Sequence, residues 1–348
     1  MQPITPQPLL DFRTFISLHK EMVYREVVNY IPKWGDRYDE MVRCYVDRKG
    51  QYRRPSYVLL WNILFGGLLE DALLPAAAQQ ISEDWILMHD DWMDSNRLRR
   101  GGPAAHVLFG DKNAVNAADG LQVLNWRVVK DAADRLGGDR GRRYFDKFCD
   151  MMLVTTYGQY LDLRLTHEVR DITMFTPEDY YESTHAKSAY YSVYGPMQCG
   201  AIVAGVGQEV IERIPEYGIP AGKAFQIIDD VLDCISTPDV LGKSIGHDIL
   251  DGTKTLILWH AAQNASSATL ASLDRIYRKQ REEKTEKDVN YVLDIFNELE
   301  SIRFAQNEAK RLVDEATRAF DMALDQVPDS HTKDLARESI TYTATRKV

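Results

Sequence analysis

The stretch AAAQQISEDWILMHDDWMD, Ala76–Asp94, carries apolar residues at three- and four-residue intervals and closes on Asp90, Asp91 and Asp94. That periodicity is the mark of an amphipathic helix, and on a helix Asp90 and Asp94 stand one turn apart on the same face. Outward from this stretch the same spacing predicts helices over Leu10–Ile31, Pro55–Leu69, Ala76–Met93, Asn113–Leu136, Tyr144–Thr166, Pro177–Tyr194, Ala221–Cys234, Lys254–Gln263 and Lys287–Leu324. Alternating runs closed by hairpin turns are scarce, so the expected fold class is all-α. Breakers agree with the division: Gly101-Gly102-Pro103 and Gly137-Gly138 each follow a periodic stretch, and Thr176-Pro177-Glu178-Asp179 has the cap-and-proline pattern of a helix start. No linker-like segment interrupts residues 1–348, which read as a single domain.

Composition narrows the function. With 45% hydrophobic and 27% charged residues the chain can bury a substantial core, and its net charge of -10 disfavours a nucleic-acid partner, which needs a basic surface. No uninterrupted apolar run reaches the roughly 18 residues of a transmembrane segment. Met1 to Leu10 show no basic-then-apolar leader pattern, and the expectation is a cytoplasmic protein. Cys44, Cys149, Cys199 and Cys234 are far apart without CxxC spacing, so neither a disulfide framework nor a zinc site is expected. The charged run Arg278–Lys287, RKQREEKTEK, reads as a solvated helix end or loop.

The pattern Asp90-Asp91-Trp92-Met93-Asp94 recurs as Asp229-Asp230-Val231-Leu232-Asp233, again at the end of an apolar helical stretch. Like charges one turn apart repel, so a sequence that accepts this twice calls for cations. Oxygen-only ligands suit Mg2+, which is held by one or two carboxylates together with substrate phosphates, and a phosphorylated substrate between the motifs follows. Asp90, Asp94, Asp229 and Asp233 are the candidate metal ligands. Arg99 and Arg100 after the first motif, Lys187, Ser188 and Gln226 before the second, and Lys243, Asp248 and Lys254 after it supply cations and polar groups suited to phosphate oxygens.

In order, the segments HDDWMDSNRLRRGG, AKSAYYS, FQIIDDVLD, GKSIGHD and GTKTL resemble the motifs of the trans-isoprenyl diphosphate synthases, over roughly residues 40–260. The resemblance implies a helical bundle around a central cavity, the isoprenoid synthase type I fold, usually in a homodimer, with the aspartate-rich helices facing each other across the mouth. It implies a transferase that joins an allylic prenyl diphosphate to isopentenyl diphosphate with Mg2+, three ions per site, giving a short-chain product. Asp90, Asp94 and Asp229 would be principal ligands, with Asp91, Asp230 and Asp233 helping directly or through water. Arg99, Lys187, Ser188, Gln226, Lys243 and Lys254 would hold the allylic diphosphate. Ser188 stands where threonine is usual, and Lys254 lies one place beyond the family's lysine, at Thr253. His89 reads as a packing residue rather than a catalyst.

The acceptor side departs from that pattern. The usual GKxxRP element stands here as Gly50-Gln51-Tyr52-Arg53-Arg54-Pro55, and Glu83 occupies a position commonly His or Gln. Gln51, Arg54, Glu83 and Arg100 are the candidate acceptor residues. Three accounts stay open: neighbouring cations replace the lysine while Glu83 orients an arginine; the acceptor is not isopentenyl diphosphate; or the enzyme ionises one substrate and cyclises it. A noncatalytic partner subunit is the further alternative. In the family the residues four and five places before the first aspartate often form the floor beneath the growing chain; here they are Ile86 and Trp85, and the bulk of Trp85 points to a C15 to C20 product.

Overall fold

The computed structural model describes residues 11–235 and 245–342, most of them helical. In chain order α1 (Phe12–Tyr30), α2 (Arg37–Arg43), α3 (Arg53–Leu64) and α4 (Leu69–Met93) lead to a two-stranded hairpin, Leu98–Arg99 with Gly102–Pro103. Then come α5 (Ala105–Phe109), α6 (Asp111–Leu136), α7 (Gly138–His167), α8 (Pro177–Thr184), a π-helical segment His185–Tyr194, α9 (Gly195–Ala204) and α10 (Gln208–Ile235). Helices His247–Asp251, Leu256–Asn264, Ser267–Tyr277, Glu286–Glu298, Ser301–Ala323 and His331–Tyr342 complete the described chain. Among the described residues no helix is long and apolar enough to cross a membrane.

Helix starts follow the local chemistry of the sequence. Asp11 accepts the backbone N–H of Thr14 at 2.7 Å, and Thr176 and Asp179 form a reciprocal capping box ahead of Pro177, satisfying donors that a helix N-terminus leaves without partners. Two helices begin earlier than the breakers suggest. α4 continues through Pro75 back to Leu69, and α10 through Pro220 and Pro215 back to Gln208. An interior proline costs about 3 kcal/mol, but here the flanking turns are buried, with Leu74 and Ala76–Ala78 in one and Ile211, Ile214 and Tyr217 in the other. Packing outweighs propensity. The predicted helix over Lys287–Leu324 is instead broken at Leu299-Glu300, where Glu300 takes a left-handed backbone at φ 53°.

Two apolar cores carry the architecture. One joins α1, α3, α4, α6, α7 and α9 around Trp61, Tyr57 and Phe148; the other joins α10 to the helices beyond residue 256 around Leu258, Phe296 and Leu312. α4 runs along α6, and α10 runs along Ser301–Ala323 and the π segment. The π segment, predicted as ordinary helix, is seated by two glycines: a Cβ at Gly158 of α7 would overlap the backbone of Ala186 and Lys187, and one at Gly222 of α10 would overlap Ala189. These notches bring Lys187 and Ser188 to the space between α4, α7 and α10.

Gly158→Ala tests the notch. Alanine gains about 1 kcal/mol of helix propensity, whereas overpacking against backbone that cannot rotate away costs about 1–3 kcal/mol. The expected net outcome is a lowered Tm, measured by calorimetry, together with a weakened hold on Lys187.

Candidate active site

A cleft of about 440 Å3 opens where the C-terminal part of α4, the end of α7, the π segment and α10 converge. Asp90 and Asp94 line it, as do Arg99, Asp162, Lys187, Ser188, Gln226, Asp230 and Lys254. The Lys187 ammonium donates to Asp162 Oδ2 at 2.6 Å and lies 3.6 Å from Asp90 Oδ1. Burial works against its charge, but Asp162, Asp90 and Asp94 outweigh this and hold the lysine above its ordinary value. Asp94 is left less well compensated: burial, then the charge of Asp90, pushes it up to about 7 despite Lys187.

The hairpin after α4 explains how arginines so close in sequence serve different partners. Arg100 and Gly101 both take positive φ, 50° and 74°, folding the chain back beside α4. Arg99 returns to Asp91, with Nε 2.9 Å from Oδ2 and Nη2 in close contact with Oδ1, and approaches Asp90 at 4.0 Å. Asp91, expected to help at the metal, is instead fully buried, accepting Tyr45 Oη at 2.6 Å as well as Arg99. One residue beyond Asp90 lies about 100° around a helix, so Asp91 points into the core while Asp90 points into the cleft.

The second motif divides similarly. Asp230 lines the cleft and receives Tyr180 Oη at 2.8 Å and Gln226 Nε2 at 2.9 Å, and Gln226 Oε1 accepts from Ser188 at 2.7 Å. Burial raises Asp230 to about 7, with Gln226 and Tyr180 opposing. Asp229 and Asp233, expected as metal ligands, are not among the residues lining the cleft; Asp229 is half-buried. Asp233 is buried and accepts the backbone N–H of Asp248 at 3.0 Å, closing the chain beyond α10 back onto it. Lys254 reaches the cleft but donates to Gly252 O at 2.8 Å, and burial followed by the charge of Lys284 lowers it to about 8. Lys243 lies outside the described residues.

The acceptor candidates form a separate network. Glu83 Oε2 is 3.1 Å from Arg54 Nη1, and Glu83 Oε1 is 3.2 Å from Arg100 Nη2, while Arg100 Nη1 donates to Asp84 Oδ1 at 2.7 Å. Arg54 also donates to Ser192 Oγ at 2.8 Å and lies over the Tyr191 ring. Burial opposes the charge of Glu83, but Arg54, Arg100 and Arg53 outweigh it and lower the carboxyl; at Asp84 burial prevails over Arg100 and raises it to about 6. Gln51 is exposed. Trp85 is buried in the first core, edge-on to His89 with ring centroids 5.8 Å apart, and Ile86 is half-buried; neither lines the cleft. His89 faces Asp119 at 3.3 Å.

Asp162, Tyr180, Tyr45 and Asp84 were not singled out in the sequence because none belongs to a motif; only the fold brings them to the charged groups. The donor set fits a divalent hard cation: oxygen ligands only, with a carboxyl pair whose mutual repulsion shows in Asp94. Among the described residues no group of three or more acidic, His or Cys side chains is placed to hold a metal ion.

Residues 36–296 match the polyprenyl synthetase family. The chain is 30% identical over 302 residues to the geranylfarnesyl diphosphate synthase of Aeropyrum pernix, spanning 85% of this chain and 90% of that protein. Among solved structures, the geranylgeranyl pyrophosphate synthetase of Pyrococcus horikoshii superposes with a TM-score of 0.82 at 28% identity, covering 96% of this chain and 98% of that one. A polyprenyl synthase of Caulobacter crescentus, crystallised with calcium and isoprenyl diphosphate, superposes at 0.86 and 23% identity, covering 99% and 100%. The architecture is the all-α isoprenoid synthase fold, and the enzyme class is prenyl transfer. The chain belongs to the polyprenyl synthetase family.

Removing Glu83 leaves two largely buried guanidiniums short of a counter-charge. Glu83→Ala is expected to cost about 3–5 kcal/mol in denaturant unfolding, and Glu83→Gln, which keeps hydrogen-bond acceptance, markedly less.

Proposed function

We propose that the chain condenses an allylic prenyl diphosphate with isopentenyl diphosphate, in the presence of Mg2+, to a short-chain prenyl diphosphate of C15 to C20. The observation that carries this reading is the interleaving of Asp90 and Asp94 with Lys187 and Arg99 around one cleft. The bound metal and substrate of the Caulobacter relative support it by analogy.

In this reading Asp90 and Asp94, which line the cleft, would hold Mg2+, three ions per site, with Asp230 assisting from α10; Asp229 and Asp233, which do not line the cleft here, would join them only if the end of α10 rearranged. Bound Mg2+ supplies Lewis-acid neutralisation of the diphosphate charge. Arg99, Lys187, Gln226, Ser188, Lys243 and Lys254 hold the allylic diphosphate and favour its departure by stabilising the charge that develops on it. The allylic C–O bond breaks, the double bond of the acceptor attacks the resulting cation, a C–C bond forms, and a proton passes to the released diphosphate. Asp91 acts by orienting Arg99. Arg54 and Arg100, presented by Glu83, bind the acceptor diphosphate together with Gln51, and the whole chain forms one catalytic unit.

Exposed apolar residues on α7, Phe145, Leu153, Tyr157 and Tyr160, recur at helical spacing, and Val123 on α6, which packs against α7, is exposed as well. This stripe supports a homodimer, and sedimentation at twice the 39.8 kDa chain mass is the expected result.

Incubation with Mg2+ and dimethylallyl, geranyl or farnesyl diphosphate, with and without isopentenyl diphosphate, tests the reaction by mass identification of products. Elongated linear diphosphates are expected only with isopentenyl diphosphate, and Asp90→Ala is expected to lose nearly all turnover. Loss of diphosphate without elongation would assign the Glu83 network to another acceptor or to cyclisation. Trp85→Ala is expected to lengthen the product if the indole limits the chain; an unchanged product length would leave Trp85 a core residue only.

A further inference from the structure

The charged run after helix Ser267–Tyr277 is largely exposed, as its composition predicts, and it also borders the cleft. Arg278, Lys279, Gln280, Arg281 and Glu282 all line the cleft that holds Asp90 and Asp94. The run is fastened at several points: Arg278 to Asp274 at 2.5 Å, Lys279 to Asp288 at 2.7 Å, and Lys284 to the carbonyls of Ile249 and Leu250 at 2.8 and 2.9 Å. A capping box between Gln280 and Glu283 shapes the turn that carries Arg281. A strap this well anchored presents its side chains in fixed positions.

Arg281 is the member held from the side of the second aspartate motif. Its Nη1 contacts Asp251, and its Nη2 lies 3.0 Å from His247 Nε2, while His247 Nδ1 is 2.8 Å from Asp251 Oδ2. The guanidinium can only donate, so Nε2 accepts and the ring proton sits on Nδ1, donated to Asp251. Helix His247–Asp251 is itself tied to α10 where Asp233 takes the N–H of Asp248. Arg281 is therefore oriented by a chain of contacts that begins in the second motif; burial lowers its pKa, and the charge of Asp94 opposes that shift. A guanidinium carries more donors than these two contacts use among the described residues, in a planar fork suited to phosphate oxygens.

We propose that Arg281 is a further diphosphate-binding residue of this cleft, with His247 and Asp251 as its positioning residues. The inference rests on the reading that the cleft receives an allylic diphosphate. It adds a cation supplied by a strap outside the sequence motifs.

The test compares wild type, Arg281→Gln, Arg281→Lys and His247→Ala in Mg2+ buffer. It measures the KM for the allylic substrate, the KM for isopentenyl diphosphate, and calorimetric binding of inorganic diphosphate. A lost charged hydrogen bond is expected to weaken diphosphate binding and raise the allylic KM about ten- to a hundredfold in Arg281→Gln. The acceptor KM should stay within about twofold, Arg281→Lys should recover part of the loss, and His247→Ala should fall between, with the Tm of Arg281→Lys at the wild-type value. Unchanged diphosphate binding and allylic KM in Arg281→Gln would overturn the proposal while leaving the cleft reading intact. Failure of wild type itself to bind diphosphate would overturn both.

Discussion

Asp90, Asp94, Asp162, Asp230, Asp248 and Asp251 all face one cleft, and their mutual repulsion is the constraint that the surrounding structure has to meet. Two unit charges 4 Å apart interact by about 4 kcal/mol in a partly screened protein environment, so such a gathering is tolerable only with cations set between its members. Lys187 spans Asp162 and Asp90, Arg99 leans from Asp91 toward Asp90, and Arg281 answers Asp251. Compensation is incomplete at Asp94, which burial and Asp90 raise to about 7. That residual repulsion is a source of affinity for added positive charge, and the added cations in turn attract a polyanion.

The placement of those cations depends on packing some distance from them. Lys187 reaches its carboxylates because a π-helical segment is pressed into glycine notches on α7 and α10, so side-chain-free positions in two helices set the position of an ammonium on a third. π-helical turns concentrate at functional sites, where a register that ordinary helix cannot supply is needed. The hairpin at Arg100-Gly101 does the equivalent for the arginines, turning neighbours in sequence to Asp91 on one side and to Glu83 and Asp84 on the other.

Much of this is legible in the sequence. The all-α class follows from periodicity, and the first aspartate motif from the spacing of like charges on one helical face. The limits are equally physical. Spacing states which residues share a face, not which neighbours receive them, so the burial of Asp91 against Tyr45 and the capture of Asp233 by the Asp248 N–H were hidden. The helices predicted to start at Ala76 and Ala221 in fact run back through Pro75 and through Pro220 and Pro215, because propensity is local whereas the burial that overrides it is tertiary. Glu83 departs from the His or Gln common at its position, and it sits between two arginines, as only the account in which it orients an arginine anticipated. The run after Arg278 reads as solvated and is mostly exposed; its anchoring was hidden because its partners, Asp288 and the carbonyls of Ile249 and Leu250, come from segments on either side of it.

The central claim is that carboxylates and cations around this cleft form a site completed jointly by metal and diphosphate. Its most direct test is calorimetric titration of Mg2+ into the protein with and without inorganic diphosphate. The account predicts weak metal binding alone and at least a tenfold tightening with diphosphate, matched by an equal effect of Mg2+ on diphosphate affinity, as linkage requires. Metal and diphosphate binding that are independent of each other would contradict it.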